Sequence, residues 1–366
     1  MNEILIKYFF LILTSLCLTS ICIPTINQIG LKKGFIDKPN KRKHHQKSIV
    51  RIGGLSIAIG FFITSLLAIF FGWFNTEELR NINLILLTSF CFFSLGFIED
   101  IFRISMISRL LFQIIISCFV WSFGLQIKII DLSLFFPNFN FVILPNLISL
   151  FLTVIWIVGV TNSFNWIDGL DGLSSGLAAI AIISFSILLL SFNEATLVIL
   201  MAILVGSCIG FLYFNFNPAK IFMGDGGSYL IGFLCSIFSI YSYNYLLNIG
   251  VSQLALLYQF LILFIPIVDM AYVFFSRIFE SRSPFYPDRR HFHFRLQRVG
   301  FSHLETVLLC YLISVNFILF AFAGIYSRHL YLFLGSSLLI ILIYGVFRYN
   351  KISVALKKIF EKLNSD

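Results

Sequence analysis

The feature that most constrains the fold is a series of apolar runs, each close to 20 residues long, separated by short polar segments. An α-helix of about 20 residues crosses the ~30 Å hydrocarbon layer of a bilayer and satisfies its own backbone hydrogen bonds. Only 12% of the 366 residues are charged, whereas soluble domains carry about 25%. The sequence therefore predicts an all-α polytopic membrane protein, with residues 1–366 forming one integral membrane domain.

Eleven spans fit the apolar runs, and we expect the first to be retained because no small-residue cleavage site follows it. The predicted spans are 4–23, 53–73, 82–98, 109–125, 143–161, 173–192, 195–214, 227–247, 253–275, 304–324 and 330–347. The polar segments that hold the residues of interest are 24–52, 99–108, 162–172, 215–226 and 276–303.

The basic residues are divided unequally between the two ends of these spans. All but four of the 26 lysines and arginines fall on one side, and the exceptions are Lys7, Arg80, Lys128 and Arg328. Cytoplasmic loops carry such an excess, so we expect the N-terminus outside and the C-terminus in the cytoplasm. This topology explains the net charge of +9 through contact with anionic membrane lipids. We expect no nucleic-acid partner, because no stacking aromatics alternate with these residues in a soluble groove.

The acidic residues gather at the inner ends of the predicted helices, where an ionisable group is costly and usually functional. In one segment Asn162, Asn165, Asp168 and Asp171 recur every three residues. On a helix this spacing gives one slowly drifting face, which suits Mg²⁺ or a general base beside a metal ligand. Helix capping and a turn are the alternative, but they explain only one or two of the residues.

Two further acidic groups lie at predicted helix ends. Asp225 stands among glycines just before a span, where exposed N–H groups favour phosphate and a carboxylate could hold a bridging metal. Glu99 and Asp100 end the third span and could also flank a metal. The alternatives are a glycine turn with Asp225 as its N-cap, and an acid pair solvated among the lipid headgroups.

Two basic segments complete the candidate site, one before the double glycine that opens the second span and one after the ninth span. Arginine fits phosphate oxygens through a bidentate fork, although a basic membrane-surface loop explains the charge of the first segment equally well. Asp269, within the ninth span, either forms a structural pair or assists the site. The candidate ligands in the two segments are Lys43, His45, Arg289, His291 and His293.

In this order, these segments resemble the polyprenyl-phosphate N-acetylhexosamine-1-phosphate transferases, most specifically at 162–172 and 218–228. The resemblance implies transfer of a sugar 1-phosphate from a UDP-N-acetylhexosamine to undecaprenyl phosphate on the cytoplasmic face of the bacterial inner membrane, with release of UMP. It implies Mg²⁺, with Mn²⁺ as a substitute, and suits a homodimer. The product would start a cell-surface polysaccharide such as O-antigen, and UDP-N-acetylglucosamine is the expected donor.

The resemblance also implies roles for individual residues. Asp225 would be the principal metal ligand, and Asp100 with Glu99 would act near the lipid phosphate. The implied sets are the catalytic residues Glu99, Asp100, Asp168 and Asp171, the metal ligands Asp171 and Asp225, and the substrate-binding residues Lys43, His45, Asn162, Asn165, Arg289, His291 and His293.

Three alternatives stay open. A transferase of phospho-N-acetylmuramoyl-pentapeptide, in the peptidoglycan branch, usually carries a Pro-x-His-His-His run, which this chain lacks. A transporter for an anionic solute would place its binding groups near the bilayer midplane, whereas these acids cluster at one face. A catalytically weakened relative is the third, because Glu99 stands where the family usually has Asp and Phe294 where this branch often has a third His.

Overall fold

The computed structural model describes residues 2–37, 48–131, 141–251, 255–284, 288–326 and 337. Two predicted substrate ligands, Lys43 and His45, lie outside these residues, as does nearly all of the predicted last span, 330–347. The described helices are α1 Asn2–Lys33, α2 Gly54–Phe70, α3 Thr76–Phe102, α4 Met106–Ser122, α5 Asn146–Ile167, α6 Leu173–Ser191, α7 Val198–Asn215, α8 Gly224–Asn248, α9 Ala255–Ile262, α10 Phe264–Phe279, α11 Phe292–Arg298 and α12 His303–Tyr326.

Seven of these helices are long and apolar enough to cross a membrane, or eight if α9 and α10, which meet at a bend of 80°, form one span. The helices α2 and α4 are apolar but shorter, with 17 residues each. The prediction of an all-α, multi-pass membrane protein is therefore confirmed. Each of the first ten predicted spans overlaps a described helix or the bent pair, and the total of eleven stays a prediction.

Several helices extend beyond the predicted spans into segments that we expected to be loops. α1 continues past Pro24 to Lys33, α3 includes Glu99 and Asp100, and α5 runs to Ile167. The predicted loop bounds are wrong at these points. Apolarity marks the part of a helix that faces hydrocarbon, whereas the backbone hydrogen bonds continue into polar residues until a capping residue or glycine ends them.

Four short strands form two antiparallel pairs: β1 Ile36–Asp37 with β2 Ile49–Val50, and β3 Ile129–Asp131 with β4 Phe141–Ile143. The first pair matters for the site, because Val50 also accepts a hydrogen bond from the N–H of Phe222 at 2.8 Å. The N–H of Gly54 donates to Met223 at 2.7 Å. These bonds join the start of α2 to the start of α8.

The start of α8 is enclosed by helices that approach it unusually closely. A Cβ on Gly54 would lie 2.2 Å from the backbone nitrogen of Gly227, and a Cβ on Gly96 would lie 2.3 Å from the carbonyl oxygen of Asp225. Only glycine permits such backbone contact. The beginning of α2 and the end of α3 therefore pack directly against the first turn of α8.

Candidate active site

Asp225 lies in the first turn of α8, where the partial positive charge of the helix N-terminus favours a carboxylate. Its Oδ1 accepts a hydrogen bond from Asn165 Nδ2 at 3.0 Å, and its Oδ2 accepts one from Arg109 Nη1 at 3.4 Å. Arg51 Nη2 approaches Oδ1 to 3.8 Å. Three segments that are distant in sequence thus converge on one partly exposed carboxylate.

Asp100 is buried and serves as a cap for α8, although it belongs to α3. Its two carboxylate oxygens each accept a hydrogen bond of 3.0 Å, from the N–H groups of Asp225 and Gly226. Arg51 Nη2 donates to Oδ1 at 2.9 Å. Asp100 therefore satisfies N–H groups that a helix start leaves unpaired, and its predicted role near a lipid phosphate stays a prediction.

Two other carboxyl groups near Asp225, those of Glu99 and Asp168, make fewer hydrogen bonds and ion pairs. Glu99 Oε1 lies 3.5 Å from Arg109 Nη1, while its Oε2 is buried and makes no hydrogen bond within the described residues. The Asp168 side chain, just after α5, likewise makes none in the described part of the chain. Burial, followed by repulsion from Asp225 and Asp100, raises the pKa of Asp168 to about 8. The site thus holds more carboxyl groups than its two arginines pair with, and Asp168 keeps a proton at neutral pH.

Asp171 has a different set of contacts. Its Oδ2 accepts hydrogen bonds from Asn217 Nδ2 at 3.1 Å and from the N–H of Ala219 at 3.0 Å. His303 Nε2 accepts a hydrogen bond from the Asp171 N–H at 2.9 Å. Asp171 therefore stabilises the turn after α7, and its predicted metal-binding and catalytic roles stay predictions.

A cavity of about 300 Å³ lies between two partners of Asp225 and the segment that follows α10. Arg109 and Asn165, which contact Asp225, line one part of it, and Asp288 and His291 line another. Asn162 also lines it, with Nδ2 donating to Gln113 Oε1 at 2.6 Å and to the carbonyl oxygen of Val158 at 2.8 Å. A ligand in the cavity would therefore contact both basic and acidic groups.

Arg277 organises the far wall of this cavity. It is buried, pairs with Asp288 across 3.1 Å, and lies 5.0 Å above the ring of Trp166. Burial by itself would raise the pKa of Asp288, but hydrogen bonds from the Arg277 side chain and the N–H of Arg290 hold it below its ordinary value. The loop before α11 is thus fixed to α10 by an ion pair.

The three predicted phosphate ligands of this segment have different environments. His291 lines the cavity, whereas His293 and Arg289 are not among its lining residues. His293 is completely buried against Gly169, and neither ring nitrogen has a hydrogen-bond partner among the described residues. Arg289 is exposed, with its guanidinium 5.9 Å from the centre of the Phe294 ring. Only His291 of the three is placed to contact a ligand in the cavity.

The chain is similar in sequence to a family of known proteins. The sequence profile described as glycosyl transferase family 4 matches residues 82–243, from α3 to α8. A probable undecaprenyl-phosphate N-acetylglucosaminyl 1-phosphate transferase of Bacillus subtilis strain 168 is 33% identical over 317 residues, which are 87% of this chain and 85% of that protein. The chain belongs to glycosyl transferase family 4. The family predicted from the sequence motifs is therefore confirmed.

Other members of family 4 match over a similar length. The decaprenyl-phosphate N-acetylglucosaminephosphotransferase of Mycobacterium tuberculosis H37Rv is 29% identical over 320 residues, covering 82% of this chain and 78% of that protein. The undecaprenyl-phosphate alpha-N-acetylglucosaminyl 1-phosphate transferase of Escherichia coli K12 is 29% identical over 286 residues, covering 77% and 74%. The residues that match the family profile include Glu99, Arg109, Asp168 and Asp225 of the site described above.

Few side chains in the site of this family 4 member are available to coordinate Mg²⁺. Among the described residues, no three His, Cys, Asp or Glu side chains stand close enough to enclose a metal. Mg²⁺ is commonly held by one or two carboxylates together with water and substrate phosphates. Asp225 is partly exposed, and Glu99 has an unpaired buried oxygen beside it. These groups fit a metal that binds together with its phosphate substrate.

Sequence reasoning missed the two arginines that contact the acids of this family 4 site. In the sequence, Arg51 and Arg109 are simply two of the basic residues that make up the positive-inside bias. Arg51 contacts a carboxylate 49 residues away, and Arg109 contacts one 116 residues away. No local pattern marks such pairs, because they form only when the helices pack.

Arg51→Ala should destabilise the protein. The change leaves Asp100 buried beside the start of α8 with its backbone hydrogen bonds but without its cation. The Arg51 side chain is 32% exposed, so solvent screening limits the loss to about 1 kcal/mol. Thermal unfolding in detergent should show a lower midpoint, and Arg51→Lys should recover part of it. An unchanged midpoint for Arg51→Ala would show that the pair contributes nothing to stability.

His293 should make stability depend on pH. Burial lowers its pKa to about 3, whereas an unfolded histidine has a pKa of about 6.5. The unfolded state therefore binds more protons between these values, and this group's contribution to stability is complete above pH ~6.5 and declines as the pH falls towards 3. Unfolding midpoints from pH 4 to 7 should rise less steeply in His293→Gln than in the wild type. Equal slopes would contradict the assignment.

Proposed function

We propose that the chain transfers an N-acetylhexosamine 1-phosphate from a UDP-sugar to undecaprenyl phosphate and releases UMP. The observation that carries this proposal is the cluster of Asp225, Glu99 and Asp168 with Arg51 and Arg109, of which Arg109 lines the cavity. Relatives that cover most of the chain are named for polyprenyl-phosphate N-acetylglucosamine phosphate transfer. The lipid product would start a cell-surface polysaccharide.

The reaction joins two anions, so the site must offset their repulsion. A phosphate oxygen of the lipid forms a bond to the sugar-bearing phosphorus of the UDP-sugar, and the bond from that phosphorus to UMP breaks. Arg109 and Arg51 stand where they can contact phosphate oxygens and offset charge. Bound Mg²⁺ would polarise the phosphoryl oxygens and stabilise the departing phosphate. Asp225, with Glu99 or Asp168, would hold it.

Two routes agree with this arrangement. The lipid phosphate attacks directly, or a carboxylate first takes the sugar phosphate and then passes it to the lipid. A covalent route lets UMP exchange into UDP-sugar without the lipid. Incubation of the protein with labelled UMP and unlabelled UDP-N-acetylglucosamine, in the absence of lipid, therefore distinguishes them, since only the covalent route yields labelled UDP-sugar.

We also propose eleven spans in the bacterial inner membrane, with the N-terminus outside, the C-terminus in the cytoplasm and the site facing the cytoplasm. The starts of α2, α4 and α8 and the ends of α3 and α5 meet at the acidic cluster. This arrangement supports a topology in which successive helices cross the membrane in alternate directions, with α2 and α4 counted as spans. A homodimer remains part of the proposal and is tested by light scattering.

The proposal is tested with purified protein, undecaprenyl phosphate, Mg²⁺ and a panel of donors. The panel contains UDP-N-acetylglucosamine, UDP-N-acetylgalactosamine, a UDP-linked 6-deoxy-N-acetylhexosamine and UDP-N-acetylmuramoyl-pentapeptide. UMP release with an N-acetylhexosamine donor is the expected result. Release with the pentapeptide donor alone would favour the peptidoglycan-branch alternative, and release with none would contradict a transferase. Omission of Mg²⁺, and its replacement by Mn²⁺, tests the metal.

A further inference from the structure

A carboxylate and an imidazole form a buried pair at the wall of the cavity. Asp269, in the middle of α10, is 4% exposed, and His291 is the residue before α11. Asp269 Oδ2 lies 2.7 Å from His291 Nδ1, and Oδ1 accepts a hydrogen bond from the N–H of Phe292 at 2.5 Å. Both oxygens of one carboxylate therefore hold the start of α11.

The pair determines which nitrogen of His291 carries a proton. An ionised carboxylate only accepts hydrogen bonds, so the short contact requires a proton on Nδ1. His291 Nε2 makes no hydrogen bond within the described residues, and it is not among their buried unpartnered atoms. Because His291 lines the cavity, Nε2 is the polar atom that the imidazole presents to a ligand.

The pair also sets a carboxylate directly behind the imidazole. A buried carboxylate is costly without a charged or hydrogen-bonding partner, and Asp269 has the ring and one N–H. Nearby ionisable groups among the described residues include His293, whose ring is 5.5 Å from that of His291, Cys310, and Asp288, which pairs with both Arg277 and Arg290. Nε2 donates a hydrogen bond to a diphosphate oxygen when it carries a proton, and the Asp269 carboxylate would then balance the charge of the ring.

We propose that Asp269 is a positioning residue, which orients His291 so that Nε2 binds the diphosphate of the UDP-sugar. This inference rests on the proposed function and deepens it. Asp269→Asn would keep the volume but remove the charge and allow the amide to donate to Nδ1. The ring would then be neutral, with its single proton on Nε2, and would lack the carboxylate that orients it and balances a positive charge.

The test measures the affinity of the full-length protein for UDP-N-acetylglucosamine by titration calorimetry with Mg²⁺, and the KM and kcat for UMP release. Asp269→Asn and His291→Gln should each weaken binding about tenfold or more and raise KM more than they lower kcat. The double variant should be no weaker than either single variant, and Asp269→Glu should recover part of the affinity. Asp131→Asn, the same change at a buried carboxylate on β3, is the matched control and should bind like the wild type.

Several outcomes would overturn the inference. These are wild-type affinity in Asp269→Asn, additive losses in the double variant, or absence of binding by the wild type. Nuclear magnetic resonance of the ¹⁵N-histidine-labelled wild type in bilayers shows which ring nitrogens of His291 carry a proton, even if Asp269→Asn does not fold. A His291 ring protonated only at Nε2 would overturn it. His291-dependent binding without UMP release would instead contradict the proposed function and leave the inference standing.

Discussion

Asp225→Asn should lower the rate of UMP release by about 10²- to 10³-fold, the usual cost of removing one preorganised electrostatic group. The side chain is the point where Asn165, Arg109 and Arg51 converge, and it lies at the start of α8 beside the cavity. Asparagine keeps the shape and can still accept the hydrogen bond from Asn165. The loss should therefore appear in kcat and in the Mg²⁺ concentration needed for half-maximal rate, measured by UMP release.

The control for Asp225→Asn is Asp131→Asn, because Asp131 is also a carboxylate with partners but lies on β3. It should retain activity close to that of the wild type. If Asp225→Asn also kept wild-type activity and the same Mg²⁺ dependence, the assignment of Asp225 as the principal metal ligand would be wrong, while the reaction itself could still be correct.

Asp168→Asn should lower UMP release by about 10²-fold or more and at the same time stabilise the metal-free protein at pH 8. Burial and the neighbouring carboxylates raise the pKa of Asp168 to about 8, whereas an unfolded Asp has a pKa of about 3.9. The folded protein therefore binds the extra proton between these values. The contribution of this group to stability is complete below pH ~4 and is lost as the pH rises towards 8.

The measurement for Asp168→Asn is thermal unfolding in EDTA at pH 5 and pH 8, alongside the activity assay. The variant should unfold at a higher temperature than the wild type at pH 8, and the difference should be smaller at pH 5. A variant that is inactive but less stable at pH 8 would show that Asp168 has a structural task instead. Added Mg²⁺ should narrow the difference in unfolding temperature between the wild type and the variant at pH 8, because a cation stabilises the ionised carboxylate.

Hydropathy predicted the place and order of the apolar helices, because an apolar run of ~20 residues has few other stable structures in a bilayer. It did not predict their ends. Glu99 and Asp100 continue α3, and Lys33 ends α1 well past Pro24. Hydropathy also does not show the 80° bend between α9 and α10, because Leu263 at the break is as apolar as its neighbours. The signal is Pro266 in the first turn of α10, which lacks the N–H that would continue the hydrogen bonds of α9.

The acidic motifs predicted where the site lies better than they predicted the role of each residue in it. Asp225 and Asp168 were expected to lie close together, and their carboxylates interact. The structural work of Asp100 as a cap and of Asp171 at the turn after α7 depends on contacts across many residues, 125 for Asp100 and 48 for Asp171. Sequence spacing identifies neighbours on one helix, whereas these contacts arise from helix packing.

The central claim is that the chain makes a lipid diphosphate sugar, and mass spectrometry of the lipid product tests it most directly. Purified protein incubated with undecaprenyl phosphate, Mg²⁺ and UDP-N-acetylhexosamine should yield undecaprenyl diphosphate N-acetylhexosamine in equal amount to the UMP released, and Asp225→Asn should yield almost none. Release of UMP without this lipid, or no conversion of the lipid with any UDP-N-acetylhexosamine, would contradict the account.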